Sequence, residues 1–273
     1  MELYDLFSSS LKDFCDSNPS VIKIAMSNIF TMRMIGNKTH GDLAEIGITE
    51  LINQFMPLYS AKHVGKRMFR KKSHEEDILV TDMSKDEDFL LSLKAYGDGP
   101  LQLSTDKNFK IFPFLESSLP HFKVEDVMEF ESFKNLANQN ILSLIYKENN
   151  DECNMMIFDV KKAISEVKFI TKEETSGNRK HPVYKFLDAG RNYIFEVRYG
   201  GSKANALQRG VWTHTKHADG YFRSLTDGWV SYNKSEELLE LMGKVLVSSN
   251  ISHKKILDIL NEDILNLKSS LVV

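Results

Sequence analysis

Apolar positions recur at helical spacing along the first 36 residues. Leu3, Leu6, Phe7, Leu11 and Phe14 form one run, and a second short segment reaches from Val21 to about Met34. The next helix is expected to start at Asp42 as its cap, with Glu45 three positions on as in a capping box. Ile48, Leu51, Ile52 and Phe55 then make one apolar stripe, which Pro57 ends. Beyond Pro57 the texture changes. Asp77-Ile78-Leu79-Val80 and Phe89–Tyr96 read as the two strands of a hairpin over 77–96. The polar run TDMSKDED is the turn between them, and Gly97-Asp98-Gly99-Pro100 marks the exit. Later strands are expected at Met155–Val160, Lys168–Thr171, Val183–Leu187 and Tyr193–Tyr199. Residues 171–182 read as an exposed loop, and helices at Lys234–Val247 and Ile251–Leu267 close the chain. The mixture predicts an α+β fold with a mostly central sheet.

With 273 residues, 42% of them apolar, the chain can bury a sizeable core. It reads as a single domain in four stretches. These are a helical segment (1–36), a core (37–112), a basic region (177–230) and the closing helices (234–268). No run approaches the roughly 18–20 apolar residues that span a bilayer, and the acids at positions 2 and 5 do not suit a signal peptide. Cys15 and Cys153 are far apart and form no CxxC, which fits a reducing cytoplasm and excludes a disulfide framework.

The net charge of −3 excludes a polycation, but the charge is clustered. Between Lys62 and Lys72 stand six Lys/Arg and His63 without an acid, and 177–223 is again basic. The chemistry concentrates between these regions. Side chains alternate along a strand, so Ser92, Lys94 and Tyr96 point one way and Leu91, Leu93 and Ala95 the other. If the leucines face the core, Lys94 shares the opposite face with Ser92, near Asp77 on the neighbouring strand. Glu45, or Glu50 one turn on, can add a second carboxylate from the preceding helix. Two carboxylates and a lysine suit metal-assisted phosphodiester hydrolysis. Mg2+ prefers hard oxygen ligands, activates a bound water and polarises the phosphoryl group, while an ammonium offsets transition-state charge.

These pieces are Gly41-Asp-Leu-Ala-Glu45, His74-Glu-Glu-Asp77-Ile-Leu-Val and Ser92-Leu-Lys94. In that order they resemble the PD-(D/E)xK nuclease core, the superfamily of type II restriction endonucleases and mismatch-nicking enzymes. The resemblance covers about 60 residues, a fifth of the chain. It implies a restriction-endonuclease-like core, α+β (α/β) with a central mixed β-sheet flanked by helices, with Asp77, Lys94 and Glu45 as catalytic residues and Asp77 and Glu45 as ligands of Mg2+. Glu45 is preferred to Glu50 because its run looks like the family's helix motif. The chain departs from the family at Ser92, where an Asp or Glu is usual. Asp98 and Asp106 are more distant substitutes.

Cations at irregular spacing, Lys62, Lys66, Arg67 and Arg70, suit phosphate contacts. Two segments suit base edges. One holds Gln102, Ser104, Thr105 and Lys107; the other, after a glycine turn, holds Lys203, Asn205, Gln208 and Arg209. Trp212 and Trp229 read as core or interface residues. His214 and His217 with Asp219 lack the further ligand a zinc site needs. The expected function is a sequence-specific endonuclease of double-stranded DNA, acting as a homodimer, away from membranes. A methyltransferase for the same site would accompany it without binding it. The alternatives are a nicking or repair nuclease on the same core, or a nucleic-acid-binding protein without hydrolysis, which Ser92 favours.

Overall fold

Helix α1 (Leu3–Ser17) buries Phe7, Leu11 and Cys15, which lie four residues apart and therefore on one face. Asn18 breaks the chain, and Pro19 opens α2 (Pro19–Thr31) at the first helical position, where a missing N–H costs nothing. A short 3-10 turn (Met32–Ile35) leads to Gly36, whose φ of +134° starts α3 (Asn37–Phe55). Helix α3 thus begins five residues before the expected cap at Asp42. The His40 N–H donates to the Gly36 carbonyl at 2.9 Å, so the helix is already running when it reaches Asp42. Glu45 is a mid-helix residue, not the partner in a capping box.

The structure is a computed structural model that describes residues 2–64, 76–97, 99–119, 121, 123–174, 181–200 and 208–271; side chains 37–39 are outside the description. It combines helices with a mixed sheet, the α+β fold read from the sequence. The chain, read above as one domain, gathers into two compact units. The first comprises 1–97, 144–156 and 224–273, and the second comprises 98–143 and 157–223.

A seven-stranded sheet has the order β1 (Tyr59–His63), β2 (Ile78–Asp82), β3 (Glu87–Tyr96), β5 (Ile141–Lys147), β6 (Glu152–Phe158) and β11 (Phe222–Ser224), with β12 (Val230–Ser231) also on β6. Strands β2 and β3 form the expected hairpin, in register from Ile78 opposite Leu91 to Asp82 opposite Glu87. Its turn is tied by Asp82, which accepts from the Ser84 N–H (2.9 Å) and hydroxyl (2.6 Å). Helix α3 is clamped to β1 by Asn53. Its amide donates to the Ala61 carbonyl (2.9 Å) and accepts from the Ala61 N–H (2.7 Å), satisfying both groups of that strand residue.

The second unit carries an antiparallel sheet in the order β4 (Leu101–Thr105), β10 (Arg209–Thr213), β9 (Tyr193–Tyr199), β8 (Val183–Leu187) and β7 (Phe169–Glu173). Helices α4 (Ile111–Ser118), α5 (Val124–Met128), α6 (Glu131–Ala137) and α7 (Val160–Ser165) belong to it. The strand expected to run to Val160 stops at Phe158, because the Asp159 carboxylate accepts from the Lys162 N–H and caps α7. Phe133 packs on Phe186 and Phe195 in the core. The closing helices are α8 (Glu236–Leu246) and α9 (Asn250–Ser269), in the first unit. Cys15 and Cys153 are buried and unbridged. No described helix is long and apolar enough to cross a membrane.

Candidate active site

Asp77 stands one residue before β2, and its backbone extends the ladder on both sides. Its N–H donates to the Leu91 carbonyl (3.0 Å), and its carbonyl accepts from the Val64 N–H (2.9 Å). Its carboxylate then takes the next donor of β3, the Leu93 N–H, at 2.8 Å. A side chain gripped by strand backbone is held where the sheet ends. The Ser92 hydroxyl also donates to it, at 3.4 Å. Leu91 and Leu93 are buried as expected, but so is Ser92, while Lys94 is half-buried.

Burial pushes Asp77 above the usual carboxylate range. The Lys94 ammonium, the Leu93 N–H, Ser92 and His63 act against that push without cancelling it. Glu45 is raised as well, by burial first and then by the negative charge of Asp77, against its hydrogen bond to His63. Two buried carboxylates, both raised and one of them in part by the charge of the other, are short of positive charge even with a lysine beside them. Their donor atoms are hard oxygens, and a divalent cation of the Mg2+ type fits that deficit. Among the described residues, no group of three or more His, Cys, Asp or Glu forms a metal cage. The residues that could hold such a cation are Asp77 and Glu45.

The geometry favours Glu45 over Glu50. Glu45 Oε2 lies 2.7 Å from His63 Nε2, with the glutamate side chain only 17% exposed. Glu50 is exposed on α3 and accepts from Gln54 one turn on. Asp106 is committed elsewhere, in the second unit. It caps α4 by accepting from the Lys110 and Ile111 N–H groups (3.0 and 2.8 Å), and it accepts from the Tyr199 hydroxyl. Sequence reading took His63 only as part of the basic run. The missed signal was strand alternation in Tyr59-Ser-Ala-Lys-His63: Tyr59 and Ala61 are buried, and His63 shares their parity.

In the second unit, the segment of Gln102 pairs with the strand that begins at Arg209, the last residue of the other candidate for base contact. Gly210 pairs with Thr105, Val211 with Ser104 and Trp212 with Gln102. The Gln102 amide donates to the Arg209 carbonyl at 3.2 Å. Gly210 has φ +142°, and a Cβ there would lie 2.0 Å from the Ser104 carbonyl oxygen, so only glycine admits this approach. The Arg209 guanidinium lies 5.5 Å over the Phe109 ring, and its Nε is buried without a partner. Lys107 and Gln208 are exposed, and Ser104 and Thr105 half-buried. Lys66, Arg67, Arg70, Asp98, Lys203 and Asn205 lie outside the described residues.

Trp229, read as a core or interface residue, is exposed and not in the core, with the Lys147 ammonium 3.6 Å over its ring. His214, just past the end of β10, has its Nε2 3.7 Å from Glu196 on β9. Comparison with family models, curated proteins and solved structures finds no match.

Proposed function

We propose that the chain is a Mg2+-dependent, sequence-specific endonuclease of double-stranded DNA, of type II restriction character. The observation that carries this reading is the raised pair of carboxylates, Asp77 and Glu45, beside Lys94 at the end of the β2–β3 hairpin. Asp77 and Glu45 would hold Mg2+, which supplies an activated water and polarises the phosphoryl oxygen. The chain's own residues do the rest. The Leu93 N–H and Ser92 fix the Asp77 carboxylate. His63 fixes Glu45 by a hydrogen bond, so the second carboxylate does not swing with its helix side chain. Lys94 offsets the charge that grows on the phosphate oxygens and orients the attacking water.

Ser92 takes the place of the usual acid without emptying the site, because Glu45 supplies the second carboxylate. In the second unit, β4 and the residues after it (Gln102, Ser104, Thr105 and Lys107) and the start of β10 with the residue before it (Gln208 and Arg209) carry the groups proposed for base contact. Lys66, Arg67 and Arg70 are proposed for phosphates, with Lys203 and Asn205 among the base-contacting groups. A cut in both strands uses two copies of a chain that holds one such site. A reducing cytoplasm suits the two unbridged thiols.

The test is incubation with long duplex DNA and Mg2+. Discrete fragments that vanish with EDTA and in Lys94→Ala are expected. Nicked circles alone would select the repair-type reading. Binding without any cleavage would select the inert module that Ser92 allows.

A further inference from the structure

Helices α8 and α9 form a hairpin in which no residue is buried. That is anomalous, since both carry core-like patterns. On α8, Leu238, Leu241, Met242 and Val245 follow the spacing of one helix face. On α9, His253, Ile256, Leu257, Leu260, Ile264 and Leu267 repeat at steps of three and four, again one face. Lys254, Lys255, Asp258 and Glu262 fall off that face. Leu257 is 56% and Leu260 42% exposed. Between the helices runs a cavity of about 420 Å3, lined by Leu241, Met242, Val245, Ile256, Leu257 and Leu260 among others. The base of the hairpin is anchored: the Ser235 N–H donates to Thr31 (3.0 Å), and Lys268 to Gln54 (2.8 Å). The apolar seam is thus presented by helices fixed at their roots.

We infer that this seam is a self-association surface, and that its occupant is the same hairpin of a second copy, related by a two-fold axis. Three considerations select that occupant. First, a seam that repeats every three to four residues is shaped for another helix. Second, residues 236–269 hold six acids (Glu236, Glu237, Glu240, Asp258, Glu262, Asp263) and four lysines (Lys244, Lys254, Lys255, Lys268), a net of −2. That sign disfavours anionic lipid and nucleic acid, whereas its small size lets one copy approach another. Third, α8 and α9 are about 16 and 30 Å long and each about 10 Å wide. Two such faces bury on the order of 1,000 Å2, the threshold of a specific dimer. A two-fold pair closes both seams at once as four packed helices, whereas a head-to-tail contact leaves one open. The inference rests on the nuclease reading in that both use two copies of the chain, and it adds where the copies meet.

Sedimentation velocity on the DNA-free protein tests it. Wild type at micromolar concentration is expected at twice the chain mass of 31.3 kDa. The double variant Leu257→Glu, Leu260→Glu is expected at the single-chain mass with unchanged circular dichroism, since neither side chain is buried. Lys254→Glu, off the seam, should leave the mass doubled. A wild type that stays single up to high micromolar concentration overturns the inference. So does a double variant that still pairs, or a Lys254→Glu protein that falls apart. Because no DNA or Mg2+ enters the measurement, its failure is separate from a failure to cut.

Discussion

Asp77 and Glu196 are both withdrawn from water, yet burial has opposite outcomes. On β9, Glu196 is 4% exposed, with Arg198 Nη1 at 3.3 Å and His214 Nε2 at 3.7 Å. Burial pushes it up, but His214 and Arg198 outweigh that push and leave it below the usual carboxylate range. At Asp77, burial wins over Lys94, and the second carboxylate, Glu45, is raised along with it. One acid has its counter-charge built into the fold. The others lack enough of it, and under the proposed function a divalent cation would make up that lack. A buried carboxylate is therefore informative only together with its partners.

The largest expected effect is on catalysis. Lys94→Ala should slow Mg2+-dependent cleavage by about 10²–10³-fold or more while specific binding survives. Plasmid cleavage alongside a binding isotherm reads both, and near-normal cutting would remove Lys94 from the site. Next comes stability at the other acid. Glu196→Gln should lower stability by roughly 2–3 kcal/mol, because Arg198 and His214 lose a buried partner. Since the native carboxyl is depressed, its contribution is present above the unfolded value and is lost as pH falls through the native one. Urea unfolding at pH 7 and pH 3 should show that loss shrinking in acid. A difference of the same size at both pH values would show that charge is not what Glu196 contributes.

The third effect is smaller. Arg209→Ala should cost on the order of 1–3 kcal/mol on the cognate site and little on random duplex. Equal losses on both would leave β4, with Gln102 and Lys107, as the reading strand. The smallest effect has the opposite sign to that of Glu196. Asp77 is raised in the native state, so its ionisation works against folding as pH rises through the interval between its unfolded and native values. In EDTA, Asp77→Asn should therefore raise Tm by about 2–4 °C at pH 7 and by nothing below the unfolded value. A variant melting lower than wild type at pH 7 would mean that Asp77 is held by its hydrogen bonds more than it is penalised by burial.

Much of this contrast was legible in the chain. Val183–Leu187 and Tyr193–Tyr199 are strands with the bounds expected, and the hairpin of Asp77 and Lys94 follows from alternation plus a strong turn. Local rules failed where a neighbour in space decides. Asp42 looked like a cap because a polar residue precedes an apolar stripe, but Gly36 starts the helix five residues earlier. His63 was hidden inside a run of cations, and its role appears only when β1 lies beside β2 and under α3. The pairing of Gln102 with the strand of Arg209 joins residues 107 apart, a distance over which no periodicity carries a signal. The short strands β10, β11 and β12 have no pattern of their own and exist by docking on longer ones.

The two cysteines have a practical consequence. Cys15 and Cys153 are 4% and 0% exposed, and burial pushes each thiol up, so reagents barely reach them and little of either is the reactive thiolate at neutral pH. Towards maleimides and mild oxidants the native chain behaves almost as if it had no sulfhydryl. A single cysteine placed on its surface would then take essentially all of a label, so fluorophores or spin probes can be set one position at a time without first removing Cys15 or Cys153.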